Sequence, residues 1–314
     1  MGDPKMLAVF FGGVGPEREV SLRSGEAMAG ALKRAGPWRV EPVRLDAAEL
    51  PAGLDPAETV VFPALHGMFG EDGRLQALLE RAGFTYAGSD SSASACCMAK
   101  DRAKAVARER GLAVAEEIVF EASAPPGAAE VIERLGNALV IKPADQGSSV
   151  GLHFASGIAG LEEALKEARE GRWLIERRLR GRELTVGVLG GRAMGVVEIV
   201  SEGGVYDYAA KYTAGASEYR YPAELTPALT ERMKAEAEQV FEGCGCRDFA
   251  RVDFLLEDEE PRFLEVNTLP GLTATSLLPK SASCEGMSFE DLARELARPA
   301  VERFRAARKG GFAE

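Results

Sequence analysis

Through Ser89, short apolar runs alternate with longer amphipathic stretches. Leu7–Phe11 and Thr59–Pro63 have the length and composition of strands buried on both faces, whereas Ser21–Ala35 and Gly73–Ala82 carry helical spacing. This alternation predicts an open parallel α/β sheet with its site at the strand C-termini. Beyond Ser89 the rhythm changes. One helix is predicted over Ala93–Arg110, then a strand at Ile118–Glu121, a Pro125-Pro126-Gly127 loop, a further helix and a strand at Ala138–Ile141. Short strands follow at Leu152–Phe154, Trp173–Glu176, Leu184–Leu189 and Met194–Ile199, the last two joined as a hairpin by Gly190-Gly191. A helix over Pro227–Cys244, strands at Phe249–Leu256 and Arg262–Val266, and a final helix ending near Arg308 complete an α+β half.

Composition narrows what such a body can do. A chain of 314 residues exceeds what one core usually serves, so two or three domains with a cleft between them are expected. A net charge of -11, with no basic stripe, argues against nucleic acid as a partner. Five cysteines without Cys-x-x-Cys spacing read as reduced thiols, and two histidines leave little for a zinc site or a His-based triad. Chemistry here is expected to run on Lys, Arg, Glu and Asp. No apolar run approaches the roughly 18 residues of a membrane span, and Leu7–Phe11 is short for a signal peptide, so a cytoplasmic, membrane-independent protein is expected.

Four segments could carry chemistry. If Glu257–Pro261 closes a symmetric hairpin, Asp253 stands opposite Glu265 and Arg251 opposite Asn267, all on one strand face. The other face (Val252, Phe254, Leu264, Val266) is then apolar. Two facing carboxylates call for a cation, and magnesium, which prefers hard oxygen ligands, fits better than a merely solvated hairpin. The strand before Lys142-Pro143 delivers a lysine into a Gly/Ser loop (Gly147-Ser148-Ser149-Val150-Gly151), able to hold phosphate oxygens; a glycine-rich surface turn is about as good a reading of that segment alone. Gly12-Gly13-Val14-Gly15-Pro16-Glu17-Arg18 imitates a dinucleotide fingerprint, but Arg18 occupies the place of its third glycine, which excludes the nicotinamide reading. What remains is Glu17 at the sheet edge, a seat for an ammonium group or simply a helix-starting acid. Finally, Asn267–Leu277 contains a Pro270-Gly271 turn and Ser276, which could bind a carboxylate or merely cap a helix.

Taken in order, these segments resemble the ATP-grasp superfamily and, within it, the D-alanine-D-alanine ligases. The resemblance rests on His66-Gly67-Met68-Phe69-Gly70-Glu71-Asp72-Gly73, Lys142-Pro143, Gly147–Gly151, Tyr206-Asp207-Tyr208 with Lys211-Tyr212, Arg251-Val252-Asp253, Glu265-Val266-Asn267-Thr268, Pro270-Gly271 and Ser276-Leu277. It implies α/β plus α+β domains at 1–89, 90–183 and 184–314, with ATP between the last two. It also implies a homodimer.

By the same resemblance Lys100, Lys142 and Lys211 reach the phosphates, Glu176, Arg178 and Leu179 border adenine with Leu255 and Leu264 beside the nucleotide, and Glu183 holds the ribose. Asp253, Glu265 and Asn267 would hold two Mg2+ ions, or Mn2+ in their place. Glu17, with Val20 and His66 nearby, would receive the first D-alanine, and Ser276 with the Leu277 N–H the carboxylate of the second. Arg251 and the Gly271 N–H would stabilise an oxyanion, and Glu17, Ser148 and Tyr212 would close a lid. Gly15 and Ala210 replace the usual Ser and Glu beside these residues, which bears on loop rigidity and rate rather than reaction type. Tyr212 favours D-alanine as second substrate over D-lactate. A sister ligase using D-lactate, D-serine or another amino acid is the competing reading; a non-catalytic nucleotide-binding regulator is disfavoured, because each charged position that the chemistry needs is filled.

Overall fold

The structure, a computed structural model, describes residues 2–147, 150–201 and 217–310. Strands β1 (Met6–Gly12), β2 (Val40–Leu45), β3 (Thr59–Pro63) and β4 (Thr85–Tyr86) form a parallel sheet in the order β2-β1-β3-β4. Helices α1 (Arg18–Ala35) and α2 (Arg74–Arg81) cover it. Alternate residues of β1 feed two cores. Leu7, Val9 and Phe11 pack with α1 and the last helix, α9 (Phe289–Gly310), while Ala8 and Phe10 pack with Leu75 and Leu79 of α2. The close helix–strand contact that Arg18 cannot provide comes instead from Gly25, where a Cβ would stand 2.2 Å from the Phe11 side chain. The sequence pattern missed β2 because Pro42 and alternating charges mark an edge strand rather than a buried one. Strand order reverses between β1 and β3, so the loops leaving Gly12 and Pro63 open at a topological switch point.

The single helix expected over Ala93–Arg110 is two: α3 (Ser91–Met98), capped by Asp90, and α4 (Lys100–Glu109). They part at Ala99, whose ψ of 95° is non-helical, and the Lys100 N–H donates to Ala144 O at 2.8 Å instead of continuing the helix. This bond ties the start of α4 to the loop after Lys142.

A small antiparallel sheet, in the order β5-β8-β6-β7, comprises β5 (Glu117–Glu121), β6 (Ala138–Pro143), β7 (His153–Ser156) and β8 (Arg172–Arg177). Leu139, Ile141, Trp173 and Ile175 face α5 (Ala128–Leu135) and α6 (Gly157–Leu165). The intervening Val140, Lys142 and Glu176 face the other way, into a cleft.

The larger sheet, β11-β10-β9-β12-β13, contains β9 (Arg182–Leu189), β10 (Arg192–Ser201), β11 (Ser217–Arg220), β12 (Phe249–Glu257) and β13 (Glu260–Asn267). Gly190 and Gly191, at φ of 58° and 81°, make the expected tight turn between β9 and β10. Helix α7 (Pro227–Gly243) and α4 share one core with this sheet through Met233, Ala237, Val240, Ala103 and Ala107. Helix α8 (Leu277–Ser283) is held to the sheet by Ser281, whose hydroxyl donates to Gly195 O at 2.5 Å and accepts from Gly187 N at 2.9 Å. Helix α9 returns to the first sheet, where Arg303 grips Asp248 with two bonds of 2.6 Å and donates to Tyr86 O. No helix among the described residues is long and apolar enough to cross a membrane.

Candidate active site

The small and large sheets face each other across a cleft of about 420 Å3. Its walls bring together Lys100, Lys142, Glu176, Arg178, Leu179, Glu183, Leu255 and Leu264, residues from five separate stretches of chain, with Glu265 at one end. Val140, Leu152 and Phe154 supply an apolar wall from one sheet, and Leu255 with Leu264 the opposing wall from the other. The Arg178 guanidinium lies 4.4 Å over the Phe154 ring. A flat apolar group fits between such walls, and the two lysines place positive charge at one end of the slot.

Buried charge is ordered there by alternation. Lys104, fully enclosed one helical turn beyond Lys100, pairs with Glu176 and, at 3.3 Å, with Glu117; Glu176 in turn meets Lys142 at 3.0 Å. For Glu176, burial alone would raise the carboxyl pKa, but Lys104 and Lys142 outweigh it and hold the group at about 2. For Lys142, burial works to lower the pKa, yet Glu176, Glu265 and Glu117 leave it above its ordinary value and firmly cationic. Sequence reading passed over Lys104, although its spacing from Lys100 puts both on one face of α4.

The hairpin register is the expected one, with Arg251 opposite Asn267 and Asp253 opposite Glu265. Its turn is tighter than the expected loop: β12 and β13 are joined by Asp258 and Glu259 alone, both left-handed at φ of 50° and 60°. A register shift between Asp253 and Phe254 corrects the expected apolar face. Phe263, not Leu264, pairs with Phe254 and is buried, and Leu264 turns toward the cleft. The bulge thus places Leu264 and Glu265 on the cleft together. Arg251 forks onto Asp253 at 2.9 and 2.8 Å, Asn267 Nδ2 donates to the same carboxylate at 2.9 Å, and Thr185 Oγ1 donates to it at 2.5 Å. Lys100 lies 3.5 Å from Glu265 and 2.5 Å from Gln146 O. Repulsion between the two carboxylates is therefore offset by protein cations as well as by any ion that binds. The oxygen donors of Asp253, Glu265 and Asn267 suit a hard divalent cation, one that must share Asp253 with Arg251.

A second group of buried polar residues gathers at the switch point of the first sheet. Glu17 is buried, and a Cβ on Gly67 would stand 2.0 Å from its Oε2; Gly67 is also left-handed at φ of 75°. Glycine is required there on both counts. Gly147, from the lysine loop, approaches the same carboxylate oxygen, a Cβ there standing 4.0 Å away. Ser21 braces the turn, its hydroxyl donating to Ala64 O at 2.7 Å and accepting from Gly12 N at 2.9 Å. Val20 sits half-buried in the first turn of α1.

Both ring nitrogens of His66 are engaged by the protein: Nδ1 faces Leu269 O at 3.0 Å and Glu71 at 3.2 Å, and Nε2 faces Ser24 Oγ at 2.8 Å. Burial raises the pKa of Glu71, against the pull of His66. Ser24 also accepts from Leu272 N at 3.3 Å, so His66 and Ser24 together tie the first sheet to the Pro270-Gly271 loop. In that loop Ser276 Oγ accepts from Thr273 N at 3.1 Å and makes no capping bond to its own helix, which removes the simple cap reading. Gly271 approaches closely, a Cβ there standing 2.9 Å from Ser276 Oγ. Ser148, Lys211 and Tyr212 lie outside the described residues.

Comparison with known proteins decides the lineage. Residues 46–89 match the model of the D-ala D-ala ligase N-terminus and residues 106–298 that of the D-ala D-ala ligase C-terminus. The chain belongs to the D-alanine–D-alanine ligase family. It is 46% identical over 297 residues to the D-alanine--D-alanine ligase of Anaeromyxobacter dehalogenans, spanning 93% of this chain and 96% of that one. Among solved structures, the family fold recurs in the VanG D-Ala:D-Ser ligase of Enterococcus faecalis (TM-score 0.82, 29% identity, 93% and 98% covered). It recurs also in the D-alanine--D-alanine ligase of Bacillus anthracis complexed with ATP (TM-score 0.81, 26% identity, 97% and 99% covered).

Proposed function

We propose that the protein joins two D-alanine molecules in an ATP-dependent, ADP-forming reaction through an acyl phosphate, as a step in making peptidoglycan precursor. One observation carries this reading: a nucleotide-sized cleft ends where Lys100 and Lys142 meet Glu265, the carboxylate paired across the hairpin with Asp253. ATP would lie between the small and large sheets, its base against the main chain of 176–179 and the Leu255/Leu264 wall, its ribose at Glu183. Lys100, Lys142 and Lys211 would take the phosphates. The three bodies would divide at 1–89, 90–183 and 184–314.

Asp253, Glu265 and Asn267 would hold two Mg2+ ions, which would neutralise phosphate charge so that a carboxylate can approach. Glu17 would receive the ammonium of the first D-alanine, with Val20 beside it and His66 fixing the loop opposite. Ser276 and the Leu277 N–H would bind the carboxylate of the second D-alanine, placing its amine for attack. Arg251 and the Gly271 N–H would stabilise the oxyanion, and Ser148 and Tyr212 with Glu17 would shut out water that would otherwise hydrolyse the acyl phosphate. We place the enzyme in the cytoplasm as a homodimer.

Phosphate release from ATP is expected to require D-alanine, and a panel of D-lactate, D-serine and other acceptors separates this reading from a sister ligase. Release with another acceptor and none with D-alanine would overturn the substrate assignment. Replacing Gly67 by Ala is expected to push the Glu17 carboxylate aside and lower kcat/KM for D-alanine about 100-fold, the scale of a misplacement near 1 Å. Steady-state kinetics at saturating ATP would check this; an unchanged kcat/KM removes Glu17 from the substrate site.

A further inference from the structure

Four of the five cysteines converge at one joint, although they come from chain segments about 150 residues apart. Cys96 and Cys97 end α3; Cys244 and Cys246 lie in the turn between α7 and β12. The turn is pressed onto the helices: a Cβ on Gly243 would stand 2.7 Å from the Val106 side chain, and one on Gly245 3.9 Å from Ala93. The Cys97 and Cys246 sulfurs are 3.5 Å apart, and Cys244 lies near enough to Cys96 and Cys97 to shift how both titrate. Cys97, Cys244 and Cys246 are buried, and Cys96 is half-buried at the edge of the cluster.

The geometry points to an oxidant-sensitive thiol site, in which peroxide cross-links Cys97 to the Cys244–Cys246 turn by a disulfide. A metal centre is the weaker use of the same sulfurs, since no group of three or more ligands among the described residues is arranged to hold an ion. The neighbouring Cys96 and Cys97 thiols, with help from Arg110, favour the thiolate at Cys244, while Cys244 and burial push Cys96 and Cys97 up. The Cys244 thiolate attacks one peroxide oxygen, the O–O bond breaks, and the departing hydroxide takes a proton to leave water and a sulfenic acid. The Cys97 thiol, giving up its proton, attacks the sulfenic sulfur and expels a second water. Two thiols and one peroxide thus give one disulfide and two waters. Cys246, in contact with Cys97, can then replace Cys244 by thiol–disulfide exchange, returning a thiol to Cys244.

Hydrogen peroxide applied to the full-length protein, followed by alkylation and non-reducing peptide mass spectrometry, tests this directly. The expected product links the Cys97 peptide to the Cys244/Cys246 peptide within one chain, is reversed by dithiothreitol, forms equally in Cys284→Ser and fails to form in Cys97→Ser. The wild-type map suffices if Cys97→Ser does not fold. Four alkylatable cluster thiols after peroxide treatment, a link only through Cys284, or stoichiometric zinc released to a chromogenic chelator would each overturn it.

Discussion

Asp253→Asn is expected to lower D-alanine-dependent phosphate release by more than about 100-fold, beyond what loss of an outer-shell partner of a metal site usually costs. It should do so without unfolding the chain. Sequence reading assigns Asp253 a metal role and no packing role, so even Asp253→Ala should fold. The hydrogen bonds say otherwise for alanine: the carboxylate accepts from Arg251 twice, from Asn267 and from Thr185, and Arg251 is itself largely buried. Alanine removes the carboxylate that this guanidinium grips with two bonds, at a cost of about 3–5 kcal/mol. Asparagine keeps one carbonyl oxygen for the same donors while removing the charge that a divalent cation needs. Kinetics should be paired with thermal melts and a Mg2+ titration, and a rise in the Mg2+ concentration needed for half-maximal rate is expected with any residual activity. Near-normal release from folded Asp253→Asn protein would sink the hairpin metal site.

The hairpin also shows what strand periodicity can and cannot reveal. Period two placed Arg251, Asp253, Glu265 and Asn267 on one face from residue spacing, and the observed register agrees. The same rule fails at the very next residue, where Leu264 turns to the cleft, because a bulge inserts one residue without any glycine to announce it. At Ala99 the helical pattern runs on through both segments; the break comes from a bond to Ala144, a partner that sequence cannot supply. Buried parallel strands were easy to see, since β1 and β3 are apolar on both faces, whereas β2 and the two-residue β4 lack such a run. Among candidate site residues, those standing next to glycines and prolines were legible. Thr185 and Ser24 act only through partners distant in sequence, and nothing local marks them, while Lys104 is marked only by its i, i+4 spacing from Lys100.

Lys104 and Glu176 lead to the second large effect, on stability. Glu176→Gln is expected to cost about 3–5 kcal/mol at pH 7, since it leaves Lys104 in full burial with Glu117 as its remaining carboxylate and weakens the hold on Lys142. The pH dependence identifies the cause. The carboxyl of Glu176 is held at about 2 in the folded chain against an ordinary 4.5, so its contribution is complete above pH 4.5 and is lost as pH falls through 2. Gln cannot ionise and has no such contribution to lose. The stability gap between the two proteins should therefore be constant from pH 7 down to about 5 and shrink by roughly half by pH 3. Urea denaturation of both proteins across that range measures it. A gap of equal size at pH 7 and pH 3 would assign the loss to packing rather than charge. A gap that narrows on acidification would show that the charges which align the cleft's lysines also hold the small sheet to α4.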